Sequence, residues 1–194
     1  MARKIANERH HSSVIRQIYD DALKMDWEHC THQEHTEQYA RWLENKDVGG
    51  ILSQWMSPEE QRVWLKDGPM KEFARAMAGE GPFAFHLQHH PRSPSLIVER
   101  TLGPPWKLRH GSTGIKPLQC EASDGRKITK IFWGPAKDFK HLLWAALEAW
   151  QLTPDREMLI VVFDTMQNQI TLAERNKLEA FGRRCQFEIS FIRV

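Results

Sequence analysis

At Gly81-Pro82 the hydrophobic pattern of the chain changes its period, and this change constrains the fold more than any other feature. Before it, apolar residues recur every three or four positions, as on the buried sides of short helices. After it, they alternate or form short continuous runs, which is typical of strands. The sequence therefore predicts an α+β protein, with a helical N-terminal subdomain over residues 1–80 and a basic α/β core over residues 81–194.

Four or five short helices are predicted in the N-terminal subdomain, and the strongest start signal is Ser57-Pro58. Serine is a good helix cap, and proline fits the first turn because no N–H partner is needed there. Glu60 completes a capping box. The main predicted helices cover residues 12 or 13 to 24, 36–44, 57–65 and 69–78.

In the core, Asp124-Gly125 lies between two alternating segments, which predicts a β-hairpin. Residues 158–163 form a continuous apolar run, as expected of a strand buried on both faces. Helices are predicted over residues 137–150 and from a capping box at Thr171 onward. The pattern thus predicts a small mixed sheet of about five strands with two packed helices. Strand candidates are residues 83–87, 96–98, 118–122, 127–133, 158–163 and 187–192.

The net charge of +2 conceals an uneven distribution. Residues 1–81 hold 11 Lys and Arg against 14 Asp and Glu, a balance of −3, whereas residues 82–194 hold 16 against 11, a balance of +5. Between positions 92 and 140, ten basic residues are opposed by four acidic ones. Such a stretch attracts phosphates if its cations converge on one surface, and otherwise it is a solvated face.

The glycine-rich fingerprints of common nucleotide-binding folds are missing from the sequence, but two shorter segments suit phosphate. Arg109 and His110 open a loop of small and hydroxyl residues, whose backbone N–H groups can form an anion site. Lys137 lies where a predicted strand meets a helix N-terminus, whose dipole favours an anion. Arg126 and Lys127 in the hairpin are further candidate phosphate contacts. An ordinary turn is the competing interpretation of each segment.

A metal-dependent nuclease requires two or three carboxylates close to the scissile phosphate. Glu121 and Asp124 lie at the predicted hairpin, and Asp164 follows the apolar strand. A carboxylate at the C-terminal end of a strand is well placed, because ligands gather at those ends. Glu121, Asp124 and Asp164 are therefore the candidate catalytic residues, and structural acids of turns and caps are the alternative. Glu99, at the end of another predicted strand, is a further candidate.

Two histidine groups, at residues 29–35 and 86–90, have metal-capable side chains but no second ligand pair at a standard distance. We interpret them as polar connections and predict no metal site. Three widely spaced cysteines form no CxxC pair and favour a reducing compartment. No apolar run approaches the roughly 20 residues of a membrane span. A protein that is cytoplasmic or peripheral at the inner membrane, without a transmembrane segment, is expected.

Three segments carry a family resemblance: EFARAMAGEGPFAF at 72–85, DGRKITKIFWG at 124–134 and FGRRCQFEISFIRV at 181–194. They are similar to the plasmid fertility-inhibition proteins, which include oncogenic suppression proteins. The resemblance implies a helical N-terminal part joined to a ParB/sulfiredoxin-like core. In that superfamily a Gly-x-His-Arg or Gly-Glu-x-Arg element binds nucleotide phosphates. Arg109-His110-Gly111 holds similar residues in another order, so no catalytic residue is transferred.

The same resemblance implies that the protein blocks conjugative or T-DNA transfer through a type IV secretion system. Implied partners are DNA, as the transferred strand or relaxosome, and the secretion coupling machinery at the inner membrane. Implied cofactors are ATP and Mg²⁺, for ATPase and DNase activity. Two alternatives stay open: a non-enzymatic inhibitor that binds a protein partner, and a DNA-binding regulator, although no helix-turn-helix with a basic recognition helix is evident.

Overall fold

A computed structural model describes residues 8–164 and 169–193, which belong to two compact units. The first unit comprises the residues up to 76 together with 80–87, and the second comprises 77–79 and the residues from 88 onward. The predicted α+β class is confirmed. Within the described residues, no helix combines the length and the apolar character that crossing a bilayer requires.

The first unit is built from short helices, of which two begin with a capping box. Ser57 and Glu60 form the predicted box, and Thr31 with Glu34 forms a second one, so α2 begins four residues earlier than predicted. The first helix includes Ser12 and Ser13, which the sequence suggested as caps. The helices are α1 (Glu8–Lys24), α2 (His32–Glu44), α3 (Gly49–Leu52), α4 (Pro58–Asp67) and α5 (Phe73–Met77).

Aromatic side chains with satisfied polar atoms hold this unit together. Tyr19 is fully buried, and its hydroxyl donates to the carbonyl of Pro69 at 2.8 Å. Trp42 is 1% exposed, and its indole N–H donates to Asp21 at 3.0 Å. Trp27 stacks on Trp42 with ring centroids 5.4 Å apart. Burial of these rings supplies the hydrophobic stabilisation, while the hydrogen bonds remove the cost of burying their polar ends.

The second unit contains a mixed sheet of six strands with helices on both faces. The strand order is β1-β3-β4-β5-β6, and β2 pairs with β3. β3 and β4 are antiparallel around the predicted hairpin, whereas β4, β5 and β6 are parallel. The strands are β1 (Lys107–Leu108), β2 (Gly114–Ile115), β3 (Leu118–Ser123), β4 (Ile128–Pro135), β5 (Glu157–Asp164) and β6 (Glu188–Arg193); the helices are α6 (Pro94–Thr101), α7 (Phe139–Leu152) and α8 (Leu172–Cys185).

The two faces of β5 are covered by different helices. Leu159, Val161 and Phe163 pack in the core that contains α6. Ile160 and Val162 pack in the core that contains α7, against which α8 also packs. Because successive side chains of a strand point to opposite faces, a continuous apolar run is what such a strand requires. The predicted buried strand is therefore confirmed.

Two strand predictions are wrong. The residues at 83–87 form a short 3₁₀ turn at Ala84–His86. Residues 96–98 lie in α6, which Ser93 precedes and which has Pro94 in its first turn. Three consecutive apolar residues do not distinguish a strand from a buried helix segment, and the Ser-Pro start signal favoured the helix. Glu99 consequently lies on a helix and does not end a strand.

Gly182 lets α8 approach β6 closely. A Cβ atom at this position would overlap Cγ1 of Ile189 and would lie 2.9 Å from the carbonyl oxygen of Phe187. A backbone carbonyl at this distance cannot move aside to make room for a methyl group, as the end of a flexible side chain can. The glycine is therefore a packing requirement, although alanine has the higher helix propensity.

We expect Gly182→Ala to lower the free energy of unfolding by about 1–3 kcal/mol, because the added methyl group overpacks the helix–strand contact. Chemical denaturation measures the change. Asn176→Ala, an exposed substitution on the same helix, is the control and should change stability by less than about 0.5 kcal/mol. A stabilised Gly182→Ala protein would contradict this packing.

Candidate anion-binding site at the carboxyl ends of the parallel strands

Parallel strand order brings the ends of β4 and β5 and the starts of α7 and α8 to one edge of the sheet. Each strand leads into a helix that returns to the next strand, β4 through α7 to β5 and β5 through α8 to β6. The carboxyl ends of such strands, where helices begin, are the usual ligand position in open α/β sheets. The predicted anion turn at Lys137 lies at this edge, in a 3₁₀ turn (Ala136–Asp138) between β4 and α7.

A cleft of about 390 Å³ opens at this edge and is called the carboxyl-edge cleft below. Exposed ammonium groups of Lys137 and Lys177 lie among its lining residues. Its apolar wall contains Ile170 and Leu178. The carboxylate of Glu174 accepts hydrogen bonds from the backbone N–H and the hydroxyl of Thr171, which lower its pKa. The cleft therefore combines two cations and one carboxylate with an apolar surface.

Asp164 shapes one side of this edge. Its Oδ1 accepts a hydrogen bond from the backbone N–H of Ile170 at 3.0 Å. Its Oδ2 lies 3.6 Å from the guanidinium of Arg175, which itself lies over the ring of Phe191 at 4.6 Å. Asp164 thus connects the end of β5 to the beginning of α8. Its contacts are those of a residue that positions the wall of the cleft.

Glu121 lies between two arginines. Its side chain is 12% exposed and forms ion pairs with Arg109 and Arg156. The backbone N–H of Arg109 also donates to the carbonyl of Glu121 at 2.8 Å. A carboxylate that is mostly buried and accepts a bond from two guanidinium groups is held in place by charge-assisted hydrogen bonds. Glu121 therefore joins β3 to the segments that carry the two arginines.

We expect Glu121→Ala to lower the free energy of unfolding by about 2 kcal/mol or more, because two arginines lose a charged hydrogen-bond partner. Thermal and chemical denaturation measure this loss. Glu188→Ala is the matched control, since this exposed carboxylate on β6 has no hydrogen bond or ion pair among the described residues. A fully stable Glu121→Ala protein would show that the carboxylate has no structural role.

Asp124 and Lys127 stabilise the hairpin. Oδ1 of Asp124 accepts from the backbone N–H groups of Arg126 and Lys127, both at 2.7 Å. These bonds lower the pKa of Asp124. Gly125 has a φ of 92°, which suits glycine and explains the Asp-Gly pair. The ammonium of Lys127 lies 2.6 Å from Glu157, and that contact raises the pKa of the lysine.

The three candidate catalytic acids do not form one site, which corrects the sequence hypothesis. Glu121 lies in register with Lys130 and Met158 across β3, β4 and β5. Asp164 is six residues farther along β5 than Met158, or about 20 Å at 3.3 Å per residue. Asp124 lies at the opposite end of the sheet. A single metal ion cannot be held by carboxylates at these separations.

The predicted cationic surface is divided in the same way. Arg126 and Lys127 precede β4, while Lys137 follows it, and a strand of eight residues is about 26 Å long. Arg109 is paired with Glu121, and His110 is exposed in the following turn. The hydroxyl of Ser112 in this turn donates to the carbonyl of Arg109 at 2.7 Å. Among the predicted phosphate contacts, only Lys137 lines the carboxyl-edge cleft.

Neither histidine group forms a metal site within the described ranges, where no three His, Cys, Asp or Glu side chains come together. His35 stacks on Trp27, with ring centroids 4.0 Å apart, and bonds to the carbonyl of Trp27. Burial lowers the pKa of His86 to about 4. Burial, with Arg92 nearby, also lowers the pKa of His90 to about 4. Both imidazoles are therefore neutral at pH 7.

Stability is expected to fall as the pH falls from about 6.5 to about 4. In this range the unfolded chain, with a histidine pKa near 6.5, binds protons that folded His86 and His90 do not bind. His90→Asn retains an acceptor for the Arg92 N–H, which bonds to Nδ1 at 3.2 Å, and should weaken the pH dependence. Chemical denaturation at several pH values measures how the free energy of unfolding depends on pH. His141→Asn, on the exposed side of α7, should leave the slope unchanged.

Three residues at the carboxyl ends of β4 and β5 were not predicted as site residues from the sequence, namely Lys177, Gln169 and Arg175. A usable signal was present, because the Thr171 capping box marks the helix start and places Lys177 on the second turn. What the sequence did not reveal is that α8 begins beside Lys137. That proximity depends on the pairing of β4 with β5.

Comparison with known proteins finds no match, whether to a protein-family model, to a curated protein or to a solved structure.

Proposed function

We propose that this protein inhibits DNA transfer, as the plasmid fertility-inhibition proteins do, by binding phosphate groups at the carboxyl-edge cleft. Lys137 and Lys177 beside one cleft are the observation that carries the proposal. Each lysine that neutralises a phosphate also releases counterions, which favours binding of a polyanion. The resemblance of the three sequence segments supplies the biological context, namely transfer of conjugative DNA or T-DNA through a type IV secretion system.

A nucleotide is the second phosphate ligand that the cleft would accommodate. Its volume of about 390 Å³ is within the usual range for small-ligand sites. The ammonium groups of Lys137 and Lys177 suit phosphates, while Ile170 and Leu178 offer apolar contact to a base. We therefore retain ATP as a proposed ligand of this cleft, in competition with DNA.

Metal-dependent cleavage of DNA is less well supported. Asp164 is engaged by Ile170 and Arg175, and Glu174 is engaged in its capping box. A two-metal or one-metal nuclease needs carboxylates that converge with free oxygens. These residues do not fit a Mg²⁺ site of their own, so we propose binding of DNA rather than its cleavage.

Replacing both cleft lysines tests the proposal. Lys137→Ala combined with Lys177→Ala should weaken binding to a labelled single-stranded oligonucleotide. It should also make the slope of log K against log salt concentration shallower, by the amount that corresponds to about two phosphate contacts. Fluorescence anisotropy over a series of salt concentrations measures both quantities. The control is Lys107→Ala with Arg126→Ala, which removes the same charge at the amino ends of the strands.

Equal losses in the two double variants would refute a localised site, because they would show a general effect of charge. ATP should displace the oligonucleotide from the wild-type protein if both use the cleft.

A separate experiment tests for cleavage: the protein is incubated with plasmid DNA, Mg²⁺ and ATP, and the DNA is examined by electrophoresis. Strand breaks that disappear in Asp164→Ala would overturn the binding-only proposal in favour of a nuclease.

A further inference from the structure

A second cavity lies wholly in the first unit, between α2 and α4. It measures about 320 Å³ and is called the α2–α4 groove below. One wall comes from positions one helical turn apart on α2, at His32, Thr36 and Tyr39. The opposite wall comes from Arg62 and Lys66, one turn apart on α4. This spacing places each set on one face of its helix, so the groove runs along both helices.

The charges in the groove have a definite order along α4. Glu59 lies near the start of the helix, Arg62 and Lys66 follow, and Asp67 closes the series. Within residues 8–164 and 169–193, Arg62 and Lys66 make no ion pair. They also stand out in a unit whose residues are acidic on balance, since residues 1–81 carry −3. The middle of the groove is therefore its cationic part.

Apolar and hydrogen-bonding groups accompany these cations. Val63 is 51% exposed among the lining residues and offers an accessible aliphatic surface on the same helix as the two basic side chains. Burial, together with the nearby carboxylate of Asp67, raises the pKa of Tyr39 to about 12. A tyrosine phenol is protonated at neutral pH even at its ordinary pKa, and its hydroxyl can donate to an acidic ligand.

Both walls are held in place before any ligand arrives. The Thr31–Glu34 and Ser57–Glu60 capping boxes fix the starts of α2 and α4. His35, at the edge of the groove, is fixed by its stack on Trp27 and its 2.9 Å hydrogen bond to the Trp27 carbonyl. A preformed groove loses less conformational entropy on binding than one that must be assembled.

We infer that the α2–α4 groove docks an acidic helical segment of a partner protein. Carboxylates one turn apart on that segment would contact Arg62 and Lys66, and an aliphatic side chain between them would cover Val63. The acids at Glu59 and Asp67 would repel additional carboxylates at the ends of the groove, which restricts the register of the partner. A helix in a groove between two helices is a common mode of peptide recognition.

This inference does not depend on phosphate binding at the carboxyl-edge cleft, because the two sites share no residue. Either one can fail alone. Oligonucleotide binding tests the cleft, and peptide binding tests the groove.

The test uses the full chain and a labelled amphipathic peptide with repeated Glu-Ala-Leu-Ala-Glu units, which place glutamates at positions i and i+4. Fluorescence anisotropy at low salt should detect binding, and amide NMR shifts should change at Thr36 and Val63. Arg62→Ala with Lys66→Ala should weaken binding by about tenfold. The control, Arg41→Ala with Lys46→Ala, removes two exposed cations of the same unit outside the groove and should have little effect.

Three results would overturn the inference. The first is no binding of the glutamate peptide, and the second is equal binding of its glutamine counterpart, which would exclude recognition of carboxylates. The third is displacement by glutarate at concentrations as low as those of the peptide, which would indicate a site for a small dicarboxylate. Circular dichroism of the double variant verifies that loss of binding is not loss of fold.

Discussion

Burial of β5 on both faces is the constraint on which the second unit depends. Residues 158–163 are each at most 4% exposed, so helices must cover both sides of this strand. β4 and β6 pair with it in parallel, and parallel neighbours require crossover connections, which α7 and α8 provide. The position of the carboxyl-edge cleft follows, because two strand ends and two helix starts then share one edge.

The ionisable groups of this unit divide between the two ends of the sheet. In the amino-terminal half, Glu121, Asp124 and Glu157 each have basic or backbone partners. Such paired groups hold the hairpin and the strands in register. At the carboxyl ends, Lys137 and Lys177 border a cavity. Charge that looked like one basic region in the sequence thus has two different physical roles.

The two proposed sites differ in the selectivity that their charges allow. The carboxyl-edge cleft offers cations to phosphate, a chemistry that is widespread and salt-dependent. The α2–α4 groove has an ordered series of acidic and basic groups, which favours selection of one partner over others. If one unit binds nucleic acid and the other binds a protein, each binding event would hold this chain close to its second ligand. Linked modules raise the effective concentration of each ligand in this way.

Local signals in the sequence determined the capping boxes at Ser57 and Thr171, the Asp124-Gly125 hairpin and the buried strand, because each depends on a few adjacent residues. Local signals also misassigned α6, where three apolar residues fit either a helix or a strand. Only the tertiary structure decided that Glu121 and Asp164 lie about 20 Å apart and that Lys137 and Lys177 line one cleft. Proximity of residues 40 positions apart depends on strand pairing, which is set by the burial of whole faces and not by any one segment.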